Sequence, residues 1–188
     1  MSPVSVRDPI IETERLILRP FEPEDFAAYC AYHVRGDVYR YLYAAPPDRE
    51  TLQRQYTSVI RPVFVQQGDV FKLAVIAKDG DYLVGEVLLK FANEQALQGE
   101  VGYIFDPTYA GHGFATEATR AIITYGFQQF GLHRIFARLD TGNTGSIGVV
   151  ERLKLRREAH FVQNERFSGI WGSEYVYAIL EHEWASMK

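Results

Sequence analysis

From Glu14 onward the chain falls into short blocks whose apolar residues recur either every second position or every third to fourth. Glu14-Arg-Leu-Ile-Leu-Arg-Pro-Phe21 alternates and is rich in β-formers, the pattern of a half-buried strand. It ends at Glu22-Pro23-Glu24-Asp25, where proline at a first helical position followed by acids predicts a helix running to about Arg35, before Gly36. A second helix is predicted from Asp48 through Thr51 to Ile60, with Pro62 ending or kinking it. Val70 to Ala77 and Tyr82 to Phe91 read as strands joined by Lys78-Asp79-Gly80-Asp81, whose Asp-Gly pair signals a hairpin. A fourth strand, Gly99 to Phe105, stops at Asp106-Pro107, and a glycine-rich turn then leads into a helix from Phe114 to about Phe130, closed by Gly131. Strand His133 to Asp140, loop Thr141 to Gly145, a short helix Ser146 to Leu155, and two long strands around 159–166 and 171–181 complete the chain.

The order β-α-α-β-β-β-α-β-α-β-β predicts an antiparallel N-terminal sheet passing into a β-α-β unit with parallel strands. Residues 1–10 carry two prolines and no period and read as a loose arm; residues 11–188 read as one domain, a length that one core can fill. Hydrophobic residues make up 47% and charged residues 23%, enough apolar surface to offset chain entropy. The formal charge of −4 opposes nucleic-acid binding as the main task. The one cysteine, Cys30, sits in an apolar stretch and reads as a buried thiol. With no signal-peptide pattern and no run of about 20 apolar residues, it predicts a cytoplasmic protein without a membrane span. The histidines at 33, 112, 133, 160 and 182 lack metal-site spacing, so no metal is expected.

The informative stretch is Asp106-Pro-Thr-Tyr-Ala-Gly111-His-Gly113-Phe-Ala115-Thr-Glu-Ala118. A strand ends, glycines turn the chain, and a helix begins whose first N–H groups lack intrahelical partners and attract an anion. Gly111 and Gly113 permit close backbone approach, and Ala115 is small. A P-loop needs Lys then Ser or Thr where Phe114 and Ala115 stand, and a dinucleotide fingerprint needs Gly where Thr116 stands. A glycine turn with no ligand is the bland alternative.

The stretch from Glu100 to Ala118, followed by Leu139-Asp-Thr-Gly-Asn143-Thr-Gly-Ser146, resembles the GNAT superfamily of N-acetyltransferases, and within it the Rim-type branch. The acetyl-CoA signature of that family maps onto Ala110-Gly-His-Gly113-Phe-Ala115, and the resemblance extends to Glu14-Arg-Leu-Ile-Leu-Arg-Pro and Tyr177-Ala-Ile-Leu-Glu-His-Glu-Trp184. It implies a three-layer α/β (α+β) fold: a mixed, mostly antiparallel central sheet with a splayed parallel strand pair and helices on both faces. It also implies acetyl-CoA as co-substrate and a primary amine of a small molecule or a protein N-terminus as acceptor. Two departures stand out. Ala110 occupies a place where many relatives have Gln or Arg, and Lys154-Leu155 replaces a family-typical Gly-Phe.

By the same resemblance, Ile104 and Phe105 would hold the pantetheine arm and thioester through their main chains. Gly111, His112, Gly113, Phe114, Ala115 and Thr116 would hold the diphosphate, and Asn143 would meet the pantetheine amides unless it is only a turn residue. Glu100 is the candidate base, with Glu86 on the neighbouring strand as the alternative and an ordinary surface acid as the bland reading. The tyrosine acid of many relatives corresponds here to Val150, which leaves Ser146 either to reach the thiolate or to cap the helix. Arg152, Lys154, Arg156 and Arg157 would meet phosphates or form a solvated face. Tyr29, Tyr32, Tyr39, Tyr41 and Tyr43 fall in the α-α region that borders the acceptor pocket in such folds, although core packing is the default for each. A non-catalytic acyl-CoA sensor is the competing class, and the last strands would support a homodimer.

Overall fold

A computed structural model describes residues 9–187. The short strands β1 (Ile11–Glu12) and β2 (Leu16–Arg19) open the fold, followed by helices α1 (Phe26–His33), α2 (Gly36–Tyr39) and α3 (Arg49–Val59). Strands β3 (Val70–Ala77), β4 (Tyr82–Asn93) and β5 (Gln98–Phe105) lead to α4 (Phe114–Phe130) and β6 (Arg134–Asp140). Helix α5 (Thr144–Arg152), strands β7 (Arg156–Phe167) and β8 (Ile170–Leu180) and helix α6 (Glu181–Ser186) follow.

The eight strands form one sheet in the order β1-β2-β3-β4-β5-β6-β8-β7. Every pairing is antiparallel except β5 with β6. That parallel pair is short: its register runs only from Gln98↔Arg134 to Glu100↔Phe136. Beyond Glu100, β5 stays on β4 and β6 stays on β8, so the two strands part and open the sheet at its centre.

Side-chain alternation along β5 decides which layer each residue meets. Val101, Tyr103 and Phe105 face the larger core, with Phe114, Ile122 and Phe127 of α4 and Val149 of α5. Ile104 faces the smaller core, built by Tyr29 and Tyr32 of α1, Leu52 and Tyr56 of α3, and Phe21. Burial of these aromatic rings, several in edge-to-face contact, holds α1 and α3 on that side.

Several boundaries differ from expectation. The first predicted strand, from Glu14 to Phe21, shortens to β2, and an unforeseen two-residue strand β1 precedes it across a turn at Thr13, whose hydroxyl and backbone turn onto Leu16. The first helix stops at His33, and Arg35 and Gly36 start the separate helix α2. Helix α5 starts at Thr144 rather than Ser146, because Asn143 caps it. Strand β7 starts at Arg156, which places two of the four basic-run residues on a strand. The chain after Leu180 turns helical, with Glu183 accepting from the Leu180 amide at 2.9 Å; acids in a first turn were the available signal. Most of the expected N-terminal arm, residues 1–8, lies outside the described residues, as does Lys188.

Candidate active site

Asp106 ends β5 and caps a single 3-10 turn, accepting from the Thr108 amide at 2.9 Å. Gly111 and Gly113 then adopt φ of 83° and 79°, a left-handed geometry that side chains resist, and α4 begins. The first bond inside α4 runs from the Glu117 amide to the Gly113 carbonyl at 3.1 Å. The N–H groups of Gly113, Phe114, Ala115 and Thr116 precede it, and no side chain caps them.

These amides open on a cleft of about 1260 Å³ at the splayed end of the sheet. Of the residues expected to bind, Ile104, Phe105, Gly111, Gly113, Phe114 and Ala115 line it, as do Thr116, Asn143 and Ser146. His112 does not. It stands exposed, its ring stacked 5.5 Å from that of Phe114 and its Nδ1 3.1 Å from the carbonyls of Tyr109 and Ala110.

Asn143 caps α5: its Oδ1 accepts from the Ser146 amide at 3.0 Å. Ser146 is therefore the capped residue, not the cap, and its carbonyl receives the Tyr103 hydroxyl at 3.1 Å. Tyr103 lines the cleft from β5, and burial holds its phenol up at about 12 despite the lowering effect of the Ser146 contact. Val150, which by the resemblance takes the place of a tyrosine acid, is fully buried in the core.

Three arginines line the cleft: Arg15, Arg120 and Arg152. Arg152 alone comes from the basic run, with Nη1 3.4 Å from the Thr116 hydroxyl. Arg156 is taken by Glu158 and Glu183, and Arg157 lies over the Tyr175 ring. Lys154 forms the turn after α5 with φ 63°, the position a glycine would relieve. Arg15 and Arg120 were not foreseen. Neither was given a role in the sequence: packing of β2 against α4 brings Arg15 in, and Arg120 stands on α4 itself, its guanidinium over the Trp184 ring of α6.

At the other end of the cleft stand Asp37, Val38, Tyr41 and Leu42, from α2 and the segment after it. Of the five tyrosines noted in the sequence, Tyr41 alone lines the cleft. Tyr29 and Tyr32 are core residues, and Tyr43 donates to Asp140 while its ring covers Gly172. The Tyr39 hydroxyl meets His33 Nδ1 at 2.8 Å, and His33 Nε2 meets Glu86 at 3.1 Å.

The two acids weighed for the base role share one face of the sheet but not one place. Glu86 lies opposite Ile104, and Glu100 opposite Lys90, four positions along, so the two are not cross-strand partners. Glu86 is fully buried among Tyr32, His33 and Lys72, whose Nζ is 2.6 Å away. Desolvation pushes its carboxyl up, but the Lys72 ammonium and the His33 contact outweigh that and bring it to about 2. Glu100 lies outside the cleft lining, its carboxylate held by Arg138 Nε at 2.9 Å.

The family model described as acetyltransferase (GNAT) domain matches residues 15–156. The chain is a GNAT acetyltransferase. N-acetyltransferase YnaD of Bacillus subtilis is 34% identical over 93% of this chain and 98% of its own length. The spermidine N(1)-acetyltransferase of Escherichia coli is 23% identical, over 89% of this chain and 87% of its own. Among solved structures, a GNAT-family acetyltransferase from Bacillus anthracis superimposes with a TM-score of 0.83 at 31% identity, covering 93% of this chain and all of that one (100%). A spermidine N-acetyltransferase of Vibrio cholerae in complex with CoA and spermine shares the fold, with a TM-score of 0.79 at 21% identity over 92% and 99% of the two chains. The acetyltransferase thus has the mixed sheet, the splayed pair and the flanking helices of its family. None of the described helices is long and apolar enough to cross a membrane.

Proposed function

We propose that this enzyme transfers the acetyl group of acetyl-CoA to a primary amine by direct attack on the thioester. The observation that carries the reading is the uncapped start of α4, where the amides of Gly113 to Thr116 open into the cleft beside Arg15 and Arg152. Acetyl-CoA would supply the activated acetyl group. In this reading the amides of α4 bind its diphosphate, and the freed edge of β5 at Ile104 and Phe105 aligns the pantetheine and polarises the carbonyl. The Tyr103 hydroxyl, held at the first turn of α5, is the proton donor available to the leaving thiolate.

For the amine's proton we assign the chain Tyr39–His33–Glu86. Tyr39 lies outside the cleft lining, so a bridging water carries the amine's proton to the Tyr39 oxygen as Tyr39 passes its own to His33 Nδ1, and Glu86 holds His33 from behind. Burial and the nearby Glu86 charge hold Tyr39 up at about 12, so it relays a proton without being a phenolate. Two neighbours support this placement: Val38 beside Tyr39, and Ile104 across from Glu86, both line the cleft. Glu100, ion-paired to Arg138, has no part in this assignment.

The acceptor is a small amine or a protein N-terminus. Residue similarity to the Rim-type branch favours the second, and the spermidine acetyltransferases among the relatives favour the first. Thiol release from acetyl-CoA, measured over polyamines, aminoglycosides, amino acids and peptides, tests the reading. Cofactor binding with no release for any acceptor would leave a sensor in place of an enzyme. A cytoplasmic location and a homodimer through β7, the sheet's outer edge, complete the proposal, and sedimentation checks the dimer.

A further inference from the structure

Arg15 lies between β1 and β2, about a hundred positions ahead of the loop it touches, and stands outside the acetyl-CoA signature at Ala110 to Ala115. Its Nε donates to Glu117 at 2.7 Å, its Nη2 stands 2.6 Å from the same carboxylate, and its Nη1 donates to the His112 carbonyl at 2.8 Å. The guanidinium also stacks over the Phe114 ring, 5.1 Å from its centre. Glu117 is held further by the Thr13 hydroxyl at 2.6 Å and the Arg15 amide at 2.9 Å. Desolvation acts to raise the Glu117 carboxyl, but these donors hold it below the ordinary carboxylate range.

Two physical consequences follow. A trans peptide carries its C=O and the next N–H on opposite edges, so fixing the His112 carbonyl on Arg15 also fixes the direction of the Gly113 N–H. Glycine on both sides of His112 leaves this peptide free to rotate unless something outside the loop restrains it. Secondly, Glu117 puts a negative charge in the first turn of α4, in the lining of the cleft where a diphosphate would sit. Arg15 neutralises it, its Nε and Nη2 both meeting Glu117 Oε2.

We propose that Arg15 is the positioning residue of the diphosphate site, orienting the Gly113 amide and cancelling the charge of Glu117. This rests on the acetyl-CoA reading above. Its range is limited to the diphosphate: the arm and thioester end of the cofactor should not sense it.

The experiment measures steady-state constants for acetyl-CoA and for acetyl-pantetheine, which lacks the diphosphate, with wild type, Arg15→Ala, Glu117→Gln and the double variant. Thermal melts set the assay temperature below every transition. Arg15→Ala should raise KM for acetyl-CoA by about tenfold or more while kcat stays within about threefold. KM for acetyl-pantetheine should stay within about twofold of wild type. Adding Glu117→Gln to Arg15→Ala should recover part of the lost affinity, because the uncompensated carboxylate is then gone; a brace of purely structural value would show no such recovery. Equal losses on both substrates, or a double variant weaker than Arg15→Ala, would overturn the proposal. A wild type that binds no acetyl-CoA would overturn the acetyl-CoA reading with it, whereas wild-type binding with an unaffected Arg15→Ala removes only the role of Arg15.

Discussion

Helices α4 and α5 both begin at the same cleft, and their starts are built in opposite ways. Helix α4 starts at a left-handed Gly113 with no side-chain cap and stops at a left-handed Gly131. Helix α5 starts under the Asn143 side chain and stops before a left-handed Lys154. A capped start has spent its amides on the protein itself, whereas an uncapped start at a cleft keeps them for a ligand. The difference separates a helix start whose amides are free for a ligand from one whose amides are held by the protein, although both are entered from a loop with glycine.

The sharpest attack on this contrast is Gly113→Glu. A carboxylate among the open amides, at φ 79°, should abolish acetyl-CoA binding, read as loss of the calorimetric signal, and retained binding would sink the diphosphate site.

The next largest effect lies outside both helices. Glu86→Gln strands Lys72 and weakens the His33 contact, at a cost of roughly 3–5 kcal/mol in unfolding free energy. The sign with pH is fixed by the lowered carboxyl. The stability it contributes is present above its ordinary 4.5 and lost as pH falls toward about 2, so acid melts of wild type should fall more steeply than those of the variant. Glu100→Gln, by contrast, should change turnover by less than about twofold, since it breaks one half-exposed ion pair. A large loss of kcat there would return the base role to Glu100.

Within α5, Asn143→Ala should lose the cap, about 1 kcal/mol, seen as a melting point lower by roughly 2–4 °C. Asn143→Asp keeps the accepting oxygen and the melting point, so any rise in KM for acetyl-CoA in that variant isolates a pantetheine contact made by the amide nitrogen. The smallest change expected is a gain. Lys154→Gly relieves a left-handed side chain and should stabilise the enzyme by about 0.5–1 kcal/mol in denaturant titration, with kinetics unchanged.

The part of the candidate site proposed to hold the cofactor was readable in the chain because its logic is local. Strand, glycines and helix follow one another within a dozen residues, and most of the expected residues line the cleft where they were placed. His112 was the exception, because its side chain turns back on the loop while its carbonyl takes Arg15. The part proposed to handle the proton was poorly legible. Glu86 and Glu100 look alike as strand acids, and only the register of β4 on β5 puts one opposite Ile104 and the other opposite Lys90. His33 carries no spacing signal, yet α1 drops it onto Glu86 with 3% of its surface exposed.

The amino-acid order by itself determined the element types, the turn glycines and the uncapped start of α4, since propensity, period and backbone freedom act between near neighbours. The tertiary structure alone decided which charges meet. Arg15 reaches Glu117, His33 reaches Glu86 and Tyr43 reaches Asp140 across 102, 53 and 97 positions, and such contacts are set by how layers pack and strands align, which no local pattern encodes.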